Sequence, residues 1–307
     1  MQVTEQSIRE AAVRIRPLAR RTPVMQIDNW YFKCENLQRG GAFKIRGASN
    51  LVLSIPEQDI PRGVVAFSSG NHAQATAIAA KHVGAPAVIV MPEDAPKSKM
   101  EPTRAQGARI VTYNRFTDDR EAIAAVVLAE TGGTLVPPYD HPMIISGQGT
   151  AALELLEDVP DLETLVVCVG GGGLLAGSAT IATAVKPGIR VFGAEPELAS
   201  DTFQSFAKGE HVTIPPPNTI ADGLRSPSPG KLTFPIIQKL VEAIALVTED
   251  EIREAMRYIM DRLKIIVEPS GAVSVAAVLF GKVPLAAGKV GIMISGGNTD
   301  LDFLKTL

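Results

Sequence analysis

Leu165-Val166-Val167-Cys168-Val169-Gly170-Gly171-Gly172-Gly173-Leu174 runs from a short β-rich apolar segment through four glycines into a helical pattern. The apolar run is strand-length and bounded by glycine, so residues 164–169 read as a buried strand and residues 174–185 as a helix. Without side chains at the junction, backbone can approach a bound group closely. The free N–H groups at the start of the helix favour an anion such as a phosphate. Gly171-x-Gly173-x-x-Ala176 also fits a dinucleotide fingerprint loosely, with Glu195 near the position expected for a ribose contact. On this motif alone both readings stand.

The strand-then-helix unit recurs in both directions. Residues 64–67, 87–91, 109–113 and 135–136 read as strands, separated by helical patterns over 73–83, 97–106 and 118–130. A helix over 145–156 precedes the opening segment, and a strand over 190–195 follows its helix. Such alternation argues for an α/β protein with open, mostly parallel sheets covered by helices on both faces. Nearer the start, Thr4 can cap a helix whose apolar positions Ile8, Ala12, Ile15 and Leu18 recur at helical spacing. Residues 30–35 read as a strand. Thr248 and Glu251 form a capping box opening a helix to about residue 264, and residues 290–295 are a last buried strand.

Composition narrows the class. The 307 residues suffice for about two domains, and 46% hydrophobic with 21% charged residues is ordinary for a globular protein. A formal net charge of −3 gives no reason to expect nucleic acid or an anionic membrane as partner. No apolar run reaches the ~18 residues of a membrane span, and Met1-Gln2-Val3-Thr4-Glu5 has no signal-peptide pattern. Cys34 and Cys168 lie in strand-like runs and read as buried thiols, which points to the cytoplasm. The four histidines show no zinc-ligand spacing.

Three further segments carry chemistry. In Gly40-Gly41-Ala42-Phe43-Lys44-Ile45-Arg46-Gly47-Ala48, apolar Phe43 and Ile45 flank a lysine at a helix start. Desolvation there lowers the lysine pKa and makes the amine a nucleophile and base. Ser68-Ser69-Gly70-Asn71-His72 sits at a strand-to-helix junction, where hydroxyl, amide and N–H groups can donate to a carboxylate. Ser295-Gly296-Gly297-Asn298 closes the last strand.

Together, in this order, these motifs resemble the pyridoxal-phosphate (PLP) enzymes of the serine/threonine dehydratase and serine racemase family, over about residues 22–301. The resemblance implies a two-domain fold type II enzyme. Residues 1–50 and 141–307 would form the large cofactor-binding domain, and residues 51–140 a smaller mobile domain that closes over substrate. It implies that Lys44 carries the cofactor and takes the α-proton, with Phe43 beside it. Gly170, Gly171, Gly172, Gly173 and Leu174 would hold the phosphate, Ser295 the pyridine nitrogen and Asn71 the phenolic oxygen, with Gly223 beside the ring and Glu268 in support. Ser68, Ser69, Asn71 and His72 would bind the substrate carboxylate, with Arg120 near by. Ser69 matches the racemase acid/base serine. A neutral hydroxyl at the pyridine nitrogen suits β-elimination.

Glu195, Ala199 and Asp201 match the divalent-metal site of serine racemase-like members, where two carboxylates and a backbone carbonyl offer hard oxygen ligands to Mg²⁺, Ca²⁺ or Mn²⁺. The implied activity is an ammonia-lyase acting on L-serine or L-threonine, in a homodimer. Serine racemase and 3-hydroxyaspartate dehydratase are the alternatives, Arg225 being a candidate cation for a second carboxylate. A non-catalytic nucleotide- or metabolite-binding module is the reading from a different class. Two departures from the family pattern are Ala42, where serine is usual, and a short stretch between Pro23 and Tyr31.

Overall fold

The structure, a computed structural model, describes every residue except Met1, Ser69, Pro96, Arg115 and Ala286, and every described side chain except those of Lys97, Ser98 and Lys99. Its strands are β1 (Val24–Ile27), β2 (Trp30–Cys34), β3 (Val64–Phe67), β4 (Ala87–Pro92), β5 (Arg109–Tyr113), β6 (Thr134–Leu135), β7 (Thr164–Cys168), β8 (Arg190–Pro196), β9 (Ala243–Val247) and β10 (Val290–Ile294). Among the described residues they form a six-stranded sheet, β1-β2-β10-β7-β8-β9, and a four-stranded sheet, β5-β4-β3-β6. All pairs are parallel except β1 with β2.

The α/β expectation therefore holds, and the strands over 64–67 and 109–113 fall where the pattern put them. The first helix is shorter than expected. It spans Glu5–Arg14 with Thr4 as cap, and the chain continues to Leu18 in turns. The sequence reading also missed β1, β9 and the helices Asp201–Lys208, Thr233–Leu240 and Pro269–Leu279. The short stretch before Tyr31 is a tight hairpin, with Ile27 paired to Trp30 and Asp28 at φ 51°. Two residues suffice to connect antiparallel strands.

Strand order positions the site. β2, β10 and β7 are parallel neighbours, so their carboxyl ends lie on one edge of the sheet, where α/β folds bind ligands. That edge receives the segment leading to Lys44, the Ser295 loop and the four glycines. In the smaller sheet β3 and β6 are parallel neighbours, so the Ser68 loop and Val136 emerge side by side. Two helix crossings tie the parts together. On the helix Pro142–Asp158, a Cβ added to Gly147 would lie 2.8 Å from the Gly47 Cα, and one added to Gly149 would lie 2.8 Å from the Gly177 carbonyl oxygen. A side chain at either position would separate the helices.

Candidate active site

Lys44 opens the helix Lys44–Val52, and its start is held by backbone rather than by a capping side chain. Ala42 and Gly296 form an antiparallel bridge, Phe43 N–H donates to the Ser295 carbonyl at 3.0 Å, and Gly297 N–H donates to the Gly41 carbonyl at 2.8 Å. This clasp fixes Lys44 relative to Ser295. Lys44 Nζ lies 5.0 Å from the Phe43 ring centroid and donates to the Pro138 carbonyl at 2.9 Å. Burial lowers its pKa from 10.5 to about 8, against the nearby Cys168 and Glu268, which raise it. The amine is thus available near neutrality, as a nucleophile requires.

Behind the lysine lies a buried charge cluster. Arg46 Nε and Nη2 clasp Glu35 at 2.7 and 2.8 Å, and Nη1 and Nη2 clasp Glu154 at 2.8 and 2.7 Å. Arg46 also donates to Thr150 Oγ1 and to the Arg20 carbonyl. Lys33 joins Glu154 and the Thr22 carbonyl, each at 2.7 Å, while Thr22 Oγ1 donates to Glu35. Two cations and two anions balance, which is the condition for burying charge at all.

The four-glycine loop follows β7 and opens the helix Gly173–Val185. Gly172 has φ +93°, and a Cβ there would meet Thr233 Oγ1 at 2.7 Å, so glycine is required on both counts. The N–H groups of Gly171, Gly172 and Gly173 have no acceptor among the described residues. A run of unpaired donors at a helix start fits a phosphate. The Tyr139 ring lies directly against Gly171 and would collide with a Cβ there. Asp140 secures that segment by accepting from the N–H groups of Lys231, Leu232 and Thr233. Burial pushes the Tyr139 phenol up, opposed by a Ser226 hydrogen bond and by Arg120.

The remaining expected residues fall around these two centres. Asn71 Nδ2 donates to Glu268 Oε1 at 2.7 Å, and Asn298 Nδ2 donates to Asn71 Oδ1 at 2.9 Å and to the Gly40 carbonyl at 2.7 Å. Ser295 Oγ donates to the Ser270 carbonyl at 3.4 Å, and Gly223 N–H donates to Ser270 Oγ at 2.9 Å. Ser68 Oγ accepts from Gly70 N–H at 3.2 Å. Ser69 lies outside the described residues. The His72 ring is buried with Nε2 at 2.8 Å from the Val136 carbonyl, and burial lowers its pKa to about 3, so it is neutral. Arg120 opens the helix Arg120–Thr131 and lies 5.3 Å from the Phe67 ring centroid. Arg225 donates through Nε and Nη2 to the Thr219 carbonyl, so its fork is engaged with its own loop. Leu174 is buried in the first turn after the glycines.

Glu195 and Asp201 form a separate acidic pocket beneath the glycine loop. Both are fully buried. Glu195 accepts from the N–H groups of Thr202 and Phe203 at 3.1 and 2.9 Å, whereas neither Asp201 carboxylate oxygen has a partner among the described residues. Burial raises both pKa values, that of Asp201 to about 7 and that of Glu195 well above its usual value, where the Asp201 charge adds to the effect. Buried unpaired acceptors beside a second carboxylate are the donor set of a hard divalent cation. Ala199 is buried at the end of the short turn Glu197–Ala199 between them. Thr202 Oγ1 donates to the Gly170 carbonyl at 3.4 Å, which links this pocket to the loop above.

Sequence reasoning missed Pro138, Tyr139, Gln148 and Arg46. The signals were present: two prolines and an aromatic residue leave β6, and Gly147-Gln148-Gly149 interrupts an otherwise helical run with two glycines.

A buried amine tied through the Pro138-Tyr139 segment to a glycine-lined anion cradle, at the carboxyl edge of a parallel α/β sheet, defines the class of fold type II PLP enzymes. A family model described as pyridoxal-phosphate dependent enzyme matches residues 15–296, and the chain belongs to that family. It is 47% identical over 309 residues to an L-threo-3-hydroxyaspartate ammonia-lyase of Saccharomyces cerevisiae, covering 97% of this chain and 94% of the relative. It is 45% identical to a serine racemase of Schizosaccharomyces pombe, with 97% and 95% covered. The structure of maize serine racemase superposes with a TM-score of 0.95 at 44% identity, covering 100% of this chain and 97% of that one. Family membership turns the glycine loop from the dinucleotide reading to the PLP reading. Among the described residues no helix is long and apolar enough to cross a membrane.

Proposed function

We propose that the protein is a PLP-dependent ammonia-lyase that converts a β-hydroxy amino acid of the serine/threonine type into a 2-oxo acid and ammonia. The observation that carries this reading is the desolvated Lys44 amine, clasped against Ser295 and joined through the Pro138-Tyr139 segment to the glycine loop. When bound, PLP supplies the electron-withdrawing group that makes the substrate α-proton removable.

The chain's own residues supply the rest. Lys44 would carry the cofactor and, as the free amine, would take the α-proton at Nζ. Gly170, Gly171, Gly172, Gly173 and Leu174 offer N–H groups to the phosphate. Ser295 would hold the pyridine nitrogen through its hydroxyl and Asn71 the phenolic oxygen, with Phe43 and Gly223 beside the ring. Ser68, Ser69, Asn71 and His72 orient the substrate carboxylate, His72 through the backbone at the helix start because its ring is committed to Val136. Arg120 would stand near the substrate, over the Phe67 ring and close enough to lower the Tyr139 pKa. Residues 51–140 would act as the smaller body that closes over substrate and excludes water.

Glu195, Asp201 and the Ala199 carbonyl would hold Mg²⁺, or Ca²⁺ or Mn²⁺, as a structural and activating ion. The unpartnered Asp201 oxygens support this. A cytoplasmic homodimer completes the reading, the two buried free thiols favouring a reducing compartment.

Racemisation of serine is a second reading, favoured by the serine racemase relative at 45% identity. One experiment separates the two. The visible spectrum of purified protein is recorded, then L-serine, L-threonine and L-threo-3-hydroxyaspartate are added in turn with assay of oxo acid and of chirality. A cofactor band that shifts with one substrate and oxo-acid release support the lyase. Inversion with little oxo acid supports the racemase. Multiple turnover by Lys44→Ala would remove both.

A further inference from the structure

Gln148 touches the Pro138 carbonyl, the lysine's own helix and the end of the glycine loop. It is fully buried on the helix Pro142–Asp158. Its Nε2 donates to the Pro138 carbonyl at 3.2 Å, the same oxygen that accepts from Lys44 Nζ at 2.9 Å. Its Cγ lies 3.0 Å from the Cβ position of Gly47, on the lysine's own helix, and its Oε1 lies against the Cβ position of Gly173, at the end of the glycine loop. The glycines on either side bring the helix close to both neighbours, so backbone packing fixes where this side chain starts.

The amide orientation is set by chemistry. A carbonyl can accept only from the NH₂ end, so Nε2 must face Pro138 and Oε1 must face away from it. That leaves Oε1 buried with no partner among the described residues. A buried acceptor without a donor is costly unless a donor arrives during function. Nζ and Nε2 meet at one oxygen, which brings the Gln148 amide close to the lysine amine.

We infer that Gln148 is a positioning residue for Lys44. Its N–H holds the Pro138 carbonyl toward the amine, and its Oε1 accepts a second hydrogen from Nζ once the freed amine has taken up a proton. Two fixed acceptors orient the amine and stabilise the ammonium formed when it takes a proton. This rests on the reading of Lys44 as the cofactor lysine.

The titratable groups facing Lys44 are Cys168 at the end of β7, Glu268 before the helix Pro269–Leu279, and His72 on the helix Asn71–Val83. Arg46 on its own helix is neutralised by Glu35 and Glu154. None of these is altered by a change at Gln148.

The test measures the Lys44 pKa on the full chain freed of cofactor, by competitive amine labelling across pH with mass spectrometry of the Lys44 peptide. Gln148→Met keeps the length and removes both polar ends. Its expected effect is a Lys44 pKa about one unit lower than in the unsubstituted chain. Gln148→Glu, nearly isosteric, is expected to shift it up. The fall in Gln148→Met is the supporting result, because a carboxylate near Nζ raises the amine by charge alone. An unchanged Lys44 pKa in Gln148→Met overturns it. If that variant does not fold, Gln148→Leu decides in its place: a downward shift supports, no shift overturns. Failure of the unsubstituted chain to take up PLP at Lys44 would instead remove the reading beneath.

Discussion

Replacing Arg46 by methionine is the sharpest test of how the lysine segment is held. Arg46 makes six hydrogen bonds, four of them to the carboxylates of Glu35 and Glu154. Its side chain and that of Glu35 are 0% exposed, and Glu154 is 15% exposed. Methionine replaces the apolar stem but ends short of the guanidinium, and it leaves two carboxylates facing one ammonium. Removing one member of a buried ion cluster costs about 3–5 kcal/mol, against at most ~1 kcal/mol for a surface pair. Total stability is about 5–15 kcal/mol, so the loss is a large fraction. With a urea slope of about 3 kcal/mol/M, the midpoint should fall by roughly 1 M or more.

Arg46→Lys keeps the charge but cannot span Glu35, Thr150, Glu154 and the Arg20 carbonyl together, so it should fall between the two. The measurement is urea unfolding followed by fluorescence and circular dichroism, on cofactor-free protein so that binding does not add to stability. A loss under ~1 kcal/mol for Arg46→Met would refute the claim that the cluster is dry and interdependent.

Cofactor capture by Lys44 should rise with pH through about 8, because the neutral amine is the reactive form. A profile still rising above pH 10 would show an exposed lysine instead. The Asp201 carboxyl binds its proton more tightly folded than unfolded, so the metal-free protein should lose stability as pH climbs from the ordinary carboxylate range through about 7. Asp201→Asn should remove that loss, up to ~4 kcal/mol at pH 8, and also abolish stabilisation by added Mg²⁺; thermal melts at pH 5 and 8, with Mg²⁺ or EDTA, decide it. Gly172→Ala, forced into a positive φ and against Thr233, should weaken PLP binding at least ~10-fold with the fold retained, as read by equilibrium dialysis.

Much of the site was legible in the sequence because its parts are local. Gly170–Gly173 announces a strand-to-helix turn by composition alone, and Lys44 stands out through its apolar neighbours. The buried charge cluster was not legible. Glu154 lies more than a hundred residues from Lys33, Glu35 and Arg46, and each charge alone looks like a solvated surface one. Only the packing of β2 and two helices makes them partners. Gln148 was hidden for the same reason, its meaning lying in a carbonyl ten residues away. The helix Pro269–Leu279 was missed because continuous burial erases the alternation that marks an element from one side.

The place of β10 between β2 and β7 has a consequence for synthesis. At about 5–20 residues per second, β2 leaves the ribosome well over ten seconds before β10 is made. Until then β2 and β7 each present an unpaired inner edge, a template for wrong pairing. The clasp from Ala42 to Gly296 is equally out of reach, so a nascent chain carrying Lys44 and all four glycines still lacks the wall that aims the lysine. Translation thus acts as a timer on cofactor loading, and fragments truncated before residue 290 should burden chaperones without ever capturing PLP productively.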